Sequence, residues 1–232
     1  MILHHGGGFR LESWKLAGWV DSLAADFQVV SFDARGNGES DKPTDPADYG
    51  LDLMVSDVLA VADACEAEKI HYLGWSLGGK VGWGLADQAQ DRLASLALIG
   101  AEPEASGETA SAMIALIEAG MDAVADAMSQ MWQMPEWALD QQRQNDPEAV
   151  LAYFHAAWPD LSHVPGQLRV PSLLMCGSED EVCDAMTRAA ERGRSVFVSL
   201  DDEDHMTSFL SDRARTVCGG FLRDVLVHGA PA

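Results

Sequence analysis

Hydrophobic positions along this chain switch repeatedly between two patterns. Short apolar runs bounded by turn residues predict strands at 1–3, 27–32 (FQVVSF), 70–75 (IHYLGW), 93–99 (LASLALI), 170–176 (VPSLLMC) and 195–200 (SVFVSL). Between them, apolar residues at helical spacing predict helices over 14–25, 52–66, 79–88, 184–192 and 207–226. The 52–66 segment carries apolar residues at Leu53, Val55, Val58, Leu59, Ala62 and Cys65. Strands that alternate with helices need right-handed crossovers. The pattern therefore predicts an α/β fold with a doubly wound, mainly parallel sheet of about six strands and helices on both faces. Ligands in such sheets gather beyond the carboxyl ends of the strands.

Residues 102–168 interrupt the alternation. They hold no plausible strand, while Met113, Ile117, Met121, Val124, Met128 and Trp132 recur at helical spacing and Pro135, Pro147, Pro159 and Pro165 punctuate the helices. The segment leaves the sheet after one strand end and returns before the next. It is expected to be a helical cap over the site, inserted in a core made of 1–101 and 169–232. Five of the ten methionines fall in it, and flexible thioethers suit an adaptable apolar wall. Met128 and Trp132 are candidate pocket residues.

Composition narrows the partners. Fifteen basic against 37 acidic side chains leave a net charge of −22, which repels nucleic acid, anionic lipid and strongly anionic substrates. Cys65, Cys176, Cys183 and Cys218 show no metal-type spacing and no C-x-x-C pair, so buried free thiols in a reducing compartment are expected. No signal peptide precedes the first strand and no apolar run reaches membrane-spanning length. A cytoplasmic location follows as the expectation.

One stretch states a chemistry. The strand at 70–75 runs into Gly74-Trp75-Ser76-Leu77-Gly78 and then a helix, which places a serine at the tip of a sharp strand-to-helix turn. Glycine at 74 and 78 avoids β-carbons where strand and helix crowd together. The turn strains the serine backbone and sets its hydroxyl at a helix N-terminus, where developing negative charge is favoured. Serine is too weak an acid to attack an acyl group unaided, so an imidazole and an orienting carboxylate are required. Two preorganised N–H donors are required as well, and the amide of Leu77, next after the serine, suits one of them.

Four motifs in order carry a resemblance: His5-Gly6-Gly7-Gly8 after the first strand, the run from Phe32 to Ser40 after the second, the turn at Ser76, and Asp180 followed by His205. The chain resembles a capped alpha/beta-hydrolase of the esterase and lactonase type over nearly its whole length. The resemblance implies Ser76 as nucleophile, His205 as base in the loop after the last strand, and Asp180 of Gly177-Ser178-Glu179-Asp180 as orienter. Glu179, Glu181 and Asp184 stay open as alternatives for the acid. Gly7 is implied as the second oxyanion donor, with Gly8 as the alternative, while His5, Asp33, Arg35, Gly36 and Gly38 are expected to brace the loops. Trp75 and Met206, flanking the serine and the histidine, join the candidate pocket. Asp202 or Asp204 near the imidazole would raise its pKa and move activity toward alkaline pH.

What the resemblance implies is a serine hydrolase that cleaves carboxylic esters or lactones of small to medium neutral substrates through an acyl-enzyme, with no metal and no cofactor. Serine at position 76 disfavours the epoxide and halide chemistry of relatives with aspartate there. Carbon–carbon hydrolysis, thioester hydrolysis and non-catalytic binding of a small molecule are the alternatives. The resemblance also implies two strands ahead of the His-Gly motif that are missing here. That leaves 27–32 as an exposed edge strand, so either a homodimer through that edge or a start codon further upstream is expected.

Overall fold

In the computed structural model, which describes residues 1–105 and 108–228, the apolar runs form six strands. They are β1 (Ile2–His4), β2 (Val30–Ser31), β3 (Ile70–Trp75), β4 (Leu93–Ile99), β5 (Ser172–Gly177) and β6 (Val196–Leu200). All pair in parallel, in the order β2-β1-β3-β4-β5-β6. Residues 106–107 of the expected cap and 229–232 of the expected core lie outside the described residues.

Strand side chains alternate faces, and the two faces bury separate cores. On one face Ile2, Tyr72, Leu96, Leu98 and Leu174 pack against α3 (Leu51–Ala64), α4 (Leu77–Gln88) and α9 (Cys183–Gly193). On the other, Leu3, Leu73, Ala97, Leu173 and Leu200 meet α1 (Glu12–Leu16), α2 (Trp19–Leu23), α10 (His205–Leu210) and α11 (Asp212–His228). Helix α3 buries Leu51, Met54, Val55, Val58 and Ala62. Their spacing of three and four keeps them on one stripe. Each leucine, methionine or valine among them, fully buried, contributes about 1.5–3 kcal/mol relative to exposure.

Between β4 and β5 the chain forms α5 (Glu108–Ala119), α6 (Met121–Met131), α7 (Glu136–Arg143) and α8 (Pro147–His155), with no strand among the described residues. Ile117, Met121, Val124 and Met128 join the second core. Among the described residues no helix is long and apolar enough to cross a membrane.

Several expectations need correction. The strand expected at 27–32 is ordered as a ladder only over Val30–Ser31, because its sole neighbour β1 is three residues long and pairs Ile2 with Val30 and Leu3 with Ser31. It does lie at the sheet edge, but as a short edge, which limits pairing with other chains. The helix expected over 14–25 divides into α1 and α2 where the chain turns at Gly18. That over 207–226 divides at Ser211, which adopts an extended conformation and whose Oγ accepts from Ala214 N at 3.2 Å as an N-cap. The thiols are not all free and buried. Cys176 and Cys183 form a disulfide, and Cys65 is exposed.

Candidate active site

The strand order reverses direction beside β1: β2 lies to one side and β3 to β6 to the other. In a parallel sheet this opens a crevice beyond the carboxyl ends, where neighbouring loops part. The loops after β1, β3, β4, β5 and β6 all emerge there, carrying Gly7, Ser76, Gly100, Asp180 and His205.

Ser76 sits at φ +53°, ψ −113°, a conformation that costs a non-glycine residue stability and holds its side chain at the start of α4. The flanking glycines are demanded by space. A β-carbon at 74 would lie 2.3 Å from the Gly78 carbonyl oxygen, and one at 78 would lie 2.0 Å from that of His4. Ser76 N–H donates to Ile99 O at 2.9 Å and Gly78 N–H to His5 O at 3.1 Å, tying the turn to both neighbouring strands. As the first residue of α4, Leu77 has an amide with no intrahelical acceptor. Among the described residues it has no other partner either.

The Gly6–Gly8 loop is clamped beside it. A β-carbon on Gly7 would be 3.8 Å from Leu77 Cβ, which puts the two backbones side by side. Gly8 N–H is spent on Asn37 Oδ1 at 3.0 Å, whereas Gly7 N–H has no partner among the described residues. Asn145 Nδ2 donates to Gly8 O at 2.8 Å and Gln142 Nε2 to Gly7 O at 3.4 Å, so α7 and the turn after it hold this loop from above. The buried His5 ring bridges Gly6 O, 2.7 Å from Nδ1, and Ala34 N–H, which donates to Nε2 at 3.0 Å. Burial lowers its pKa, so it stays neutral and structural. Asp33 accepts from Leu11 N and Glu39 N, and Arg35 pairs with Asp57 at 2.6 and 2.8 Å, bracing the adjacent turn.

Of the four carboxylates near the end of β5, Asp180 meets the imidazole: its Oδ2 lies 2.7 Å from His205 Nδ1. The carboxylate side chain is 1% exposed and the imidazole 12%. Burial by itself would lower the His205 pKa, but the hydrogen bond and charge of Asp180, then the charges of Glu102 and Asp204, outweigh it and hold the pKa above 6.5. Asp204 thus acts on the ring as the acidic run suggested, though behind Asp180 and Glu102. Its main engagement is elsewhere: it caps α10 through Met206 N and Thr207 N and accepts Gln133 N at 2.8 Å. Asp202 does not contribute.

Ser76, Leu77, Gly7, His205 and Asp180 line one cavity of about 430 Å³, a size suited to a small or medium molecule. Trp75, Met128, Trp132 and Met206 line it too. Trp132 packs on the imidazole at a ring-centroid distance of 4.8 Å, and Trp75 stacks on Phe209 behind it at 4.1 Å. No hydrogen bond within 3.5 Å links Ser76 Oγ to the imidazole among the described residues; such bonds often tighten only once substrate is bound.

Gly100, Lys80 and Glu102 are among the cavity residues that sequence reasoning missed. Gly100, just past β4 at φ +57°, underlies the histidine–aspartate pair: a β-carbon there would stand 3.0 Å from His205 Cε1 and Nδ1 and 3.1 Å from Asp180 Oδ2. Its position directly after an apolar strand was the available signal. Lys80, one helical turn after Ser76, forms an ion pair with Glu102 across 2.6 Å inside the cavity.

A family model for the alpha/beta hydrolase fold matches residues 1–148. Over 183 residues the chain is 30% identical to a protein from Pseudomonas savastanoi pv. phaseolicola (strain 1448A / Race 6), provisionally named as the carbamate hydrolase RutD. That match spans 70% of each chain. Over 99 residues it is 38% identical to the dihydrolipoyllysine-residue acetyltransferase component of the acetoin cleaving system from Pseudomonas putida, which is 43% of this chain but only 26% of that protein's length. Among solved structures, the enol-lactonase from Burkholderia xenovorans LB400 superposes with a TM-score of 0.83 at 25% identity, over 98% of this chain and 90% of that one.

Proposed function

The chain belongs to the alpha/beta hydrolase family, and we propose that it is a serine hydrolase that cleaves carboxylic esters or lactones of small to medium neutral substrates. The observation that carries this reading is the convergence of a strained Ser76, a His205–Asp180 pair at 2.7 Å and two unspent amides on one cavity. Asp180 accepts the Nδ1 proton of His205, which leaves the Nε2 lone pair as the base. As substrate settles, Nε2 takes the Ser76 proton while Oγ attacks the acyl carbon. The negative charge passes to the former carbonyl oxygen, where the Gly7 and Leu77 N–H groups receive it. On collapse the imidazolium gives its proton to the leaving alkoxide. Water, deprotonated by the same nitrogen, then attacks the acyl carbon, and as the bond to Ser76 Oγ breaks the imidazolium returns the proton to Oγ and the acid is released.

Helices α5–α8 serve as the cap in this reading, supplying Met113, Met121, Met128 and Trp132 to the wall that holds the acyl or alcohol group. Carbon–carbon and thioester hydrolysis use the same three side chains, so substrate panels separate them. The test is hydrolysis of p-nitrophenyl butyrate by the native protein and by Ser76→Ala. Loss of the nucleophile of such a unit removes about 10³-fold or more of kcat. Equal rates for the two proteins would leave only a binding role.

A further inference from the structure

The cavity is walled chiefly by apolar side chains, among them Phe9, Met128, Trp132, Phe154 and Trp158, yet one corner carries an ion pair. Lys80 Nζ donates to Glu102 Oε1 at 2.6 Å and to Glu104 O at 3.2 Å, and the two side chains are only 19% and 17% exposed. Both partners are placed close to the chemistry. Lys80 N–H donates to Ser76 O, so the lysine stands one turn along α4 from the nucleophile. Glu102 lies two residues beyond Gly100, which underlies His205, and its charge is felt at the imidazole.

Taking two charges out of water is costly, and an apolar pair of the same volume would line such a wall at equal or better stability. Pockets that keep a few polar groups among apolar ones use them to orient a ligand. Here the pair presents two unspent functions. An ammonium has three donors, of which two are engaged. Glu102 Oε2 has no partner among the described residues. A donor thus sits beside an acceptor, and the pair is neutral as a unit. A carboxylate substrate would face Glu102, Glu104 and Glu181, which also line the cavity, and an ammonium would meet these acids but offer the Lys80 donor no acceptor. A neutral head with a carbonyl oxygen next to an N–H group meets both without disturbing the pair.

We propose that Lys80 and Glu102 form a polar subsite that selects substrates bearing a primary carboxamide-type head on the acyl group, the amide oxygen accepting from Lys80 Nζ and the amide N–H₂ donating to Glu102 Oε2. This rests on the serine-hydrolase reading above and names a substrate class for it. Lys80 and Glu102 are specificity-determining residues; neither takes part in the bond-breaking steps.

The test compares p-nitrophenyl esters of 5-amino-5-oxopentanoic acid and of its apolar isostere, 5-methylhexanoic acid, with the native protein and Lys80→Met/Glu102→Leu. The native ratio of kcat/KM, amide over isostere, is expected to be about 10 or more, and the double variant to lower that ratio at least about tenfold. Loss of the Glu102 charge also alters His205, but that change acts on both esters and cancels in the ratio. Thermal melting of the variant checks its fold. A native preference for the isostere, or an unchanged ratio in the variant, overturns the proposal. Calorimetry on Ser76→Ala with the methyl esters of the same two acids gives a second reading free of turnover. Tighter binding of the amide ester, lost in the triple variant, supports the subsite, and equal or weaker binding overturns it. Should the native protein cleave neither ester, the hydrolase reading falls while the calorimetric order still decides the subsite.

Discussion

Gly100→Ala tests whether the imidazole and its carboxylate depend on empty space beneath them. The new methyl would lie 3.0 Å from His205 Nδ1 and Cε1 and 3.1 Å from Asp180 Oδ2, against an optimal carbon contact of about 3.5–4.0 Å. Both partners of the 2.7 Å bond must therefore retreat by a few tenths of an ångström. Alanine at φ +57° costs a further ~1–2 kcal/mol of stability, or a fall in Tm of about 2–8 °C for a chain of this size. A misplacement of about 1 Å costs about 100-fold in rate, so the smaller shift predicts a loss of about tenfold in kcat/KM. The pH profile should move as well. Asp180 raises the His205 pKa, so a loosened bond lowers it, and the acid limb of kcat/KM shifts to lower pH. The assay is p-nitrophenyl butyrate hydrolysis across about pH 5–9, where imidazole titrates, alongside thermal melting. A variant that melts lower but keeps kcat/KM within about twofold at every pH would refute the steric argument, since backbone strain alone would then account for the change.

Other consequences can be checked on the same material. With the His205 pKa held above 6.5, the base is protonated at mildly acid pH and kcat/KM should rise through an apparent pKa above that value; Glu102→Gln should bring it down, and a native limb at or below 6.5 contradicts the assignment. Asp204→Ala removes the cap of α10 and leaves Gln133 N–H unpaired, so urea unfolding should show a loss of about 1–2 kcal/mol, with Asp204→Asn losing much less; equal losses would mean the cap contributes nothing. Reduction of the Cys176–Cys183 disulfide, which closes a loop around Asp180, should cost about 2–3 kcal/mol of stability, read as a shifted urea midpoint that Cys183→Ser reproduces. A homodimer through the edge at β2 would give light scattering at twice the chain mass, falling to one on Val29→Lys; a native monomer removes it.

Legibility in the sequence followed burial. Strands β3 and β4, covered on both faces, stand where the apolar runs 70–75 and 93–99 predict them, because two-sided burial keeps each run almost wholly apolar, and the exceptions, His71 and Ser95, pair with each other at 2.8 Å. The run at 27–32 misled because strand length depends on the neighbour's ladder, and β1 is short. Helix ends misled where a local cap such as Ser211 competes with a continuing apolar stripe. Ser76 was legible because the chemistry and the steric demand for glycine coincide within five consecutive residues. The pairing of Asp180 with His205, 25 residues apart, rested on motif order and needed coordinates to set it above Glu179, Glu181 and Asp184.

Gly100 and the Lys80–Glu102 pair belong to a different kind of information. Each is ordinary where it stands in the chain: a glycine after a strand, a lysine on a helix, a glutamate in a loop. Their significance arises only because β3, β4, β5 and β6 end, and α4 begins, at one crevice, which brings residues 76, 80, 100, 102, 180 and 205 onto a single cavity. The motifs that announce the reacting atoms are local, since a strained turn or a helix N-terminus is built from neighbours. What selects the substrate is assembled across the fold. In the proposed reading the reacting atoms sit at the strand ends, and the groups that choose among substrates are Lys80, one helical turn beyond Ser76, and Glu102, two residues beyond Gly100. A substitution that exchanges their charges, Lys80→Glu with Glu102→Lys, keeps the pair neutral and inverts which partner donates. It should preserve the preference for a neutral amide head over its apolar isostere, and calorimetry on Ser76→Ala with the amide and isostere methyl esters separates that outcome from simple loss of the site.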